Sequence, residues 1–120
     1  MSYISAMVAA VPDANKDAYL EMVTGMLPLW KEFGATDYRE CWGVDVPDGE
    51  VTSFPMAVKK GDGETVVLSW IEWEDKAAAD ACFAAMQTDP RWQQAFAAGM
   101  PFDGKRLIFG GFETIVGGLG

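Results

Sequence analysis

Two kinds of hydrophobic pattern alternate along the chain. The apolar, β-branched and aromatic alternation typical of strands occurs in four stretches: residues 3–11, 36–45, 64–74 and 105–116. The three- and four-residue spacing of an amphipathic helix occurs between them, first up to about Phe33 and again after Asp75. This β-α-β-β-α-β order predicts an α+β, ferredoxin-like domain: a four-stranded antiparallel sheet with two main helices on one face.

Capping and turn residues mark the boundaries of these elements. Asp13 is expected to cap the first helix, and Gly34 to end it. Asp75 is a suitable cap for the second main helix, and Asp89, which precedes a proline, for a short extra one. In the long connection after the second strand, Ser53 is expected to cap a short helical turn.

The first and third predicted strands are apolar on both faces. In the third, Val66, Leu68 and Trp70 share one side, while Val67 and Ile71 share the other. The helices of this fold cover only one face of the sheet, so the simplest way to bury the other apolar face is against a second subunit. The sequence predicts one domain over residues 1–120 and a two-fold homodimer burying more than about 2,000 Å².

A double glycine interrupts the last predicted strand. Gly110 and Gly111 follow a turn at Asp103-Gly104. Glycine inside a strand indicates a bulge or a close approach by a neighbouring group. We therefore expect tight packing against this strand.

The charge of the chain limits its partners. Nine basic and 18 acidic residues give a net charge of −9. Nucleic acids and anionic membrane surfaces bind through Lys and Arg, so neither is an expected partner. No apolar run approaches the roughly 18 residues of a membrane span, and the first residues lack the basic region of a signal peptide, so a cytoplasmic location is expected.

Histidine is absent, which removes several mechanisms. Ser-His and Cys-His nucleophile pairs and His-ligated haem, zinc or iron are excluded. Cys41 and Cys82 lie far apart without a CxxC pair, and the simplest expectation is two reduced, buried thiols. We predict no cofactor and no stoichiometric metal, and any general base must be Asp, Glu, Lys, Tyr or Cys.

Glu40 and Arg106 are the candidate catalytic residues. Glu40 lies within the second strand on the side that carries Tyr38, and a partly buried carboxyl can act as a base near neutrality. Arg106 opens the last strand and could bind an anionic substrate. The alternative is structural, with Glu40 paired to Arg106 or Arg39, or simply exposed.

Several aromatic residues are candidates for a ligand pocket. The lining is predicted from Trp30, Tyr38, Trp70 and Phe112, with Trp73 and Trp92 as further candidates. Aromatic residues at helix and strand spacing also form ordinary core. The pattern alone leaves both interpretations open.

The chain resembles the YbaA-like bacterial proteins, a family catalogued as a domain of unknown function. The resemblance covers nearly the whole chain and is carried by Tyr38-Arg39-Glu40-Cys41, Asp45-Val46-Pro47-Asp48-Gly49, Thr52-Ser53-Phe54-Pro55, Ala57-Val58, Ser69-Trp70-Ile71, Asp89-Pro90, Met100-Pro101-Phe102-Asp103-Gly104-Lys105-Arg106 and Gly110-Gly111-Phe112-Glu113. It implies a dimeric α/β-barrel fold and no established activity. The broader superfamily includes cofactor-free monooxygenases, isomerases and haem-degrading enzymes that use an axial His, which this chain lacks.

Two hypotheses follow. The first is a small cofactor-free oxygenase or isomerase that acts on an aromatic or polyketide-like acid, with Glu40 as base and Arg106 as anion-binding residue. The second is a non-catalytic dimer that binds a small hydrophobic ligand or a protein partner. The position of Glu40 and Arg106 relative to an enclosed pocket distinguishes them.

Overall fold

The computed structural model describes residues 2–120 and forms one antiparallel sheet with helices. The elements are β1 (Tyr3–Pro12), α1 (Lys16–Glu32), β2 (Ala35–Trp42), α2 (Phe54–Ala57), β3 (Glu64–Trp73), α3 (Lys76–Ala85), α4 (Pro90–Ala95) and β4 (Ile108–Glu113). The strands lie in the order β2-β3-β1-β4, and all neighbours are antiparallel. The predicted ferredoxin-like α+β fold is confirmed.

The register of the strands assigns each side chain to one face of the sheet. Ser5 of β1 pairs with Ile71 of β3 and Gly111 of β4. Glu40 of β2 pairs with Ser69, which lies two residues before Ile71 on β3. Side chains alternate between faces along a strand, so these positions share one side. This is the side covered by α1 and α3, and we call it the helix face.

A tryptophan-rich core fills the space between the helix face and the helices. Trp30 of α1, Trp73 of β3 and Trp92 of α4 are all buried, and the rings of Trp30 and Trp92 are 4.7 Å apart between centroids. The indole N–H of Trp73 donates a 3.1 Å hydrogen bond to the Ser5 hydroxyl. This hydrogen bond satisfies both buried polar groups and holds the Trp73 ring against Ser5 of β1.

The opposite side of the sheet, which we call the open face, is only partly covered. The segment around α2 packs Val58 on Val8, Ala10 and Val66 at one end. Beyond that end, Leu68 is 39% and Phe112 58% exposed. The open face therefore presents exposed apolar side chains where the described residues leave it uncovered.

Three of the four predicted helix caps are confirmed. The Ser53 hydroxyl accepts a hydrogen bond from the backbone N–H of Met56. The Asp75 carboxylate accepts one from Ala78, and the Asp89 carboxylate accepts one from Arg91. The prediction for Asp13 is wrong. A short 3-10 turn over Asp13–Asn15 precedes α1, and the Asp13 carboxylate accepts a hydrogen bond from the Thr65 hydroxyl instead.

Two predicted strands are too long at their ends. The second stops at Trp42, and the fourth begins at Ile108, after a 3-10 turn over Gly104–Arg106. The Asp103 carboxylate caps that turn by accepting the Lys105 N–H at 3.0 Å. This local hydrogen bond competes with strand pairing, which is the physical reason for the late start.

The close approach predicted at the double glycine is present. A side chain carbon added to Gly111 would lie 1.7 Å from the Tyr3 hydroxyl oxygen, because the Tyr3 ring lies over this part of β4. The ladder between β1 and β4 is regular, with no bulge. The glycine therefore makes room for an aromatic ring on the neighbouring strand.

The two cysteines differ in their surroundings. Cys82 is buried in the helical core, as expected, whereas Cys41 is exposed. The expectation of two buried thiols is wrong for Cys41 because its strand position points to the open face.

Over residues 2–120, no helix combines the length and apolar character needed to cross a bilayer.

Candidate functional site

Glu40 lies in the interior of β2, on the helix face. Its cross-strand partner is Ser69, which is buried. Glu40 itself is half-buried, because α1 crosses above it. The strand alternation that places Tyr38 and Trp42 on the same side therefore holds the carboxylate between sheet and helix.

Two tyrosine hydroxyls hold the carboxylate. Tyr19 of α1 donates a 2.6 Å hydrogen bond to Glu40 Oε1, and Tyr38 of β2 donates to Oε2. Each oxygen thus has its own phenolic donor, one from the helix and one from the strand. Among residues 2–120, no arginine or lysine forms a salt bridge with Glu40.

Burial dominates the electrostatics of this cluster. Desolvation raises the pKa of Glu40 above its ordinary value of 4.5, although the hydrogen bonds from Tyr19 and Tyr38 act in the opposite direction. Burial also raises the pKa of both tyrosines, and the nearby Glu40 carboxylate raises it further. The phenols therefore remain proton donors, while the carboxyl group is the member that changes protonation.

Aromatic rings extend the cluster on both sides. The ring of Trp30 stacks on Tyr38 at 6.0 Å between centroids and an angle of 22°. On the other side, the Lys16 ammonium lies 4.8 Å from the ring centroid of Trp42. A groove of about 320 Å³ between the end of α1 and the start of β2 is lined in part by Trp30 and Tyr38.

Arg106 lies elsewhere. Its guanidinium donates two hydrogen bonds to the Glu64 carboxylate, at 2.8 and 2.7 Å, and one to the Lys59 carbonyl. A further bond joins it to Asp103 at 3.1 Å. The structure does not bring Arg106 and Glu40 together, and the alternative of an ion pair between them is not present among residues 2–120.

Arg39 offers no partner for Glu40 either. Its neighbouring position on β2 points to the open face, where the guanidinium lies over the ring of Trp70 and pairs with Asp37.

The four predicted pocket residues do not lie on one side of the sheet. Trp30 and Tyr38 lie together on the helix face, whereas Trp70 and Phe112 lie on the open face, with the sheet between the two pairs.

Tyr19 is the member of the cluster that the sequence analysis did not single out as a site residue. By the helical spacing that ends near Phe33 it is one position of the apolar stripe of α1, and the structure buries it. The available signal was its hydroxyl, because a buried tyrosine oxygen requires a hydrogen-bond partner. A half-buried acid on the adjacent strand is such a partner.

The described residues contain no cluster of three or more His, Cys, Asp or Glu side chains positioned to share a metal ion. The groups that meet at this site are the Glu40 carboxyl and the phenols of Tyr19 and Tyr38. Such a set can transfer a proton and donate hydrogen bonds to an oxygen that gains negative charge.

Comparison with known proteins identifies the family. The chain belongs to the family described as "Protein of unknown function (DUF1428)", whose model matches residues 2–104. It is 53% identical to "Uncharacterized protein YbaA" of Escherichia coli K12 over 116 residues, 97% of this chain and 98% of the relative. The same identity and coverage hold for the YbaA proteins of Escherichia coli O157:H7 and Shigella flexneri.

A solved structure shares the fold. The crystal structure of a dimeric ferredoxin-like protein from an uncultured marine organism superimposes with a TM-score of 0.60, covering 97% of each chain. The two sequences are 12% identical, so the likeness shows the fold alone. The resemblance to YbaA-like proteins and the ferredoxin-like prediction both hold, and the family brings no established activity.

Proposed function

We propose that the cluster of Glu40, Tyr19 and Tyr38 is the proton-transfer site of a cofactor-free enzyme acting on a small aromatic or polyketide-like acid. The favoured reaction is an isomerisation that moves a proton between two carbons. An oxygenase that first deprotonates its substrate would use the same residues.

The hydrogen-bonding of the Glu40 carboxylate carries this proposal. Both oxygens are held by phenolic hydroxyls, and no cation neutralises the group in the described residues. A structural carboxylate in a partly buried position usually has a cationic partner, because desolvating an unpaired charge is costly. An unpaired carboxyl whose pKa is raised by burial accepts a proton more readily than an ordinary glutamate and can return it.

The isomerisation needs no reactant other than the substrate. Glu40 takes the proton from a carbon next to a carbonyl, and the electron pair of the C–H bond moves to the carbonyl oxygen to form an enolate. The hydroxyls of Tyr19 and Tyr38, released from the carboxylate as it becomes neutral, donate hydrogen bonds to that oxygen. In a substrate with a C=C bond β,γ to the carbonyl this enolate is a dienolate: the electron pair on oxygen re-forms the C=O, the double bond moves to the α,β position, and the γ-carbon takes the proton back from Glu40. In the oxygenase variant, dioxygen would react with the same enolate.

Hydrogen–deuterium exchange tests the proposal without knowledge of the physiological substrate. Phenylpyruvate and acetoacetate carry acidic C–H bonds next to a carbonyl, and NMR in D₂O measures the loss of those protons. We expect the wild-type protein to accelerate exchange of at least one of them. Glu40→Gln should reduce the acceleration by about 10² to 10⁴-fold, the usual contribution of a general base. Glu113→Gln, an exposed acid on β4, is the matched control.

Two results would contradict the proposal. Equal exchange rates for wild type and a folded Glu40→Gln variant would show that Glu40 is not the base. No acceleration by the wild type with either probe would favour the second hypothesis, a non-catalytic dimer that binds a small hydrophobic ligand or a protein partner.

We further propose that the chain is a homodimer joined through the open face. Three observations support this: the exposed apolar side chains Leu68, Ile108 and Phe112, their position on the side of the sheet opposite α1 and α3, and the dimeric state of the ferredoxin-like neighbour. Contiguous exposed apolar surface of this kind marks interaction sites. An interface of more than about 2,000 Å² is expected for an obligate pair.

Light scattering measures the assembly directly. We expect twice the 13.1 kDa mass of the chain at micromolar concentration. Leu68→Glu places a charge in the middle of the open face and should yield monomers. Leu20→Glu makes the same change at an exposed position of α1 and should leave the dimer intact. A monomeric wild-type protein would contradict the proposal.

A further inference from the structure

Lys16 packs against an aromatic ring rather than beside an acidic side chain. The chain holds 18 acidic and nine basic residues, yet within residues 2–120 the Lys16 ammonium forms neither a salt bridge nor a hydrogen bond. It lies instead over the ring of Trp42, 4.8 Å from its centroid. The aromatic face positions the cation while leaving its hydrogen-bond donors unused.

The contact made by Lys16 and the contact made by Glu40 lie next to each other between α1 and β2. Lys16 and Tyr19 are three residues apart on α1 and so share one face of the helix. Trp42 and Glu40 are two residues apart on β2 and share the helix face of the sheet. Two neighbouring contacts therefore join α1 to β2. Tyr19 contacts Glu40, and Lys16 contacts Trp42.

We propose that Lys16 is the specificity-determining residue of this site and binds the carboxylate of a short acidic substrate while Glu40 acts on its C–H bond. The inference rests on the proposed function of Glu40 and adds the substrate class. It selects acids whose reacting carbon lies within a few bonds of the carboxylate. Trp42 would contact the apolar or aromatic part of the same molecule.

Charge balance favours this assignment. An anionic substrate approaching Glu40 meets a carboxylate and a chain of net charge −9, so binding requires a local cation. Arg106, the candidate from the sequence, is occupied by Glu64 and Asp103. Lys31 lies beside the groove next to Tyr38, on the far side of the cluster from Trp42. Lys16 lies on the Trp42 side, with its ammonium over the indole ring.

The experiment compares phenylpyruvate with its neutral methyl ester. Binding is measured by NMR from the shift of the Trp42 indole N–H signal, and exchange by the loss of substrate protons in D₂O. Lys16→Gln should weaken phenylpyruvate binding and raise its KM by about tenfold, with kcat within twofold of wild type. The ester should bind both proteins equally. Lys16→Arg should restore acid binding, and Lys105→Gln, the same charge change at an exposed site, should have no effect.

The outcomes separate the two ideas. Binding of phenylpyruvate that depends on Lys16, with no exchange catalysed, would refute the role of Glu40 and support that of Lys16. Catalysed exchange with equal acid binding by wild type and Lys16→Gln would overturn the role of Lys16 alone. A loss of affinity for acid and ester alike, or no binding of the acid by wild type, would also overturn it.

Discussion

Two glutamates, Glu40 on β2 and Glu64 at the start of β3, have opposite surroundings. Glu64 accepts two hydrogen bonds from the Arg106 guanidinium and one from the Gly61 N–H, and these lower its pKa to about 2. Glu40 accepts only from phenolic hydroxyls, and burial raises its pKa. One carboxylate is fixed in its charged form, while the other is held without a counter-charge.

The difference shows how hydrogen bonds of similar length lead to different chemistry. The bonds to Glu64 come from a cation and a backbone amide, so they stabilise the charged form and join β3 to the turn before β4. The bonds to Glu40 come from neutral groups that can donate equally to a substrate oxygen. Glu64 is therefore suited to structure and Glu40 to proton transfer, although the two have the same side chain.

The largest expected effect is a separation of the two titrations. Carboxyl ¹³C NMR of the labelled protein should place the midpoints of Glu40 and Glu64 more than about two pH units apart. Glu40 should titrate above the ordinary 4.5 and Glu64 near 2. The Glu64→Gln and Glu40→Gln variants identify the signals. Similar midpoints for the two groups would remove the basis of the comparison.

Stability should depend on pH with opposite signs at the two sites. The folded state raises the pKa of Glu40, so it binds more protons than the unfolded chain between 4.5 and the raised pKa. The stability of wild type relative to Glu40→Gln is thus fully present below pH 4.5 and is lost as pH rises through that window. The loss is about 1.4 kcal/mol for each unit by which the pKa is raised.

Glu64 gives the mirror image. Its pKa is lowered to about 2, so the stability of wild type relative to Glu64→Gln is present above pH 4.5 and is lost as pH falls toward 2. Solvent screening near the surface keeps this contribution on the order of 1 kcal/mol. Urea unfolding at fixed protein concentration between pH 3 and 8 measures both differences. Slopes of the same sign would show that one of the two environments has been misjudged.

The sequence predicted the faces of the strands well but not the contacts between elements. The alternation along β2 and β3 is a local property, so it correctly placed Tyr38 and Glu40 on one side. The same alternation puts Trp70 on the opposite side from Ser69, which already separates it from the Glu40 cluster. The proposed common pocket of Trp30 and Trp70 overlooked this parity.

The two decisive contacts could not be predicted for different reasons. The bond from Tyr19 to Glu40 depends on the rotation of α1 about its axis, which is set by packing of the whole apolar stripe. The pairing of Arg106 with Glu64 depends on the 3-10 turn before β4, whose cap at Asp103 reads from sequence as an ordinary turn signal. Both contacts join residues more than 20 positions apart, beyond the reach of local patterns.

The smallest expected effect concerns the two tyrosines. The hydrogen bonds from Tyr19 and Tyr38 lower the pKa of Glu40 against the larger effect of burial. Removing one hydroxyl while keeping the ring should therefore raise the pKa further, because desolvation remains and one stabilising donor is lost. Tyr19→Phe and Tyr38→Phe should each shift the Glu40 midpoint upward, and the double variant should shift it more than either.

The same variants distinguish proton transfer from a purely structural role for the cluster. If the hydroxyls donate to the enolate oxygen, each Phe variant should slow exchange of phenylpyruvate as well as shift the titration, and the pH profile of exchange should move with the Glu40 midpoint. Tyr3→Phe, which removes a hydroxyl near Gly111 and away from Glu40, is the control and should change neither. A shifted titration with an unchanged exchange rate would leave the tyrosines as groups that only hold Glu40 in place, and the enolate oxygen would then need another donor.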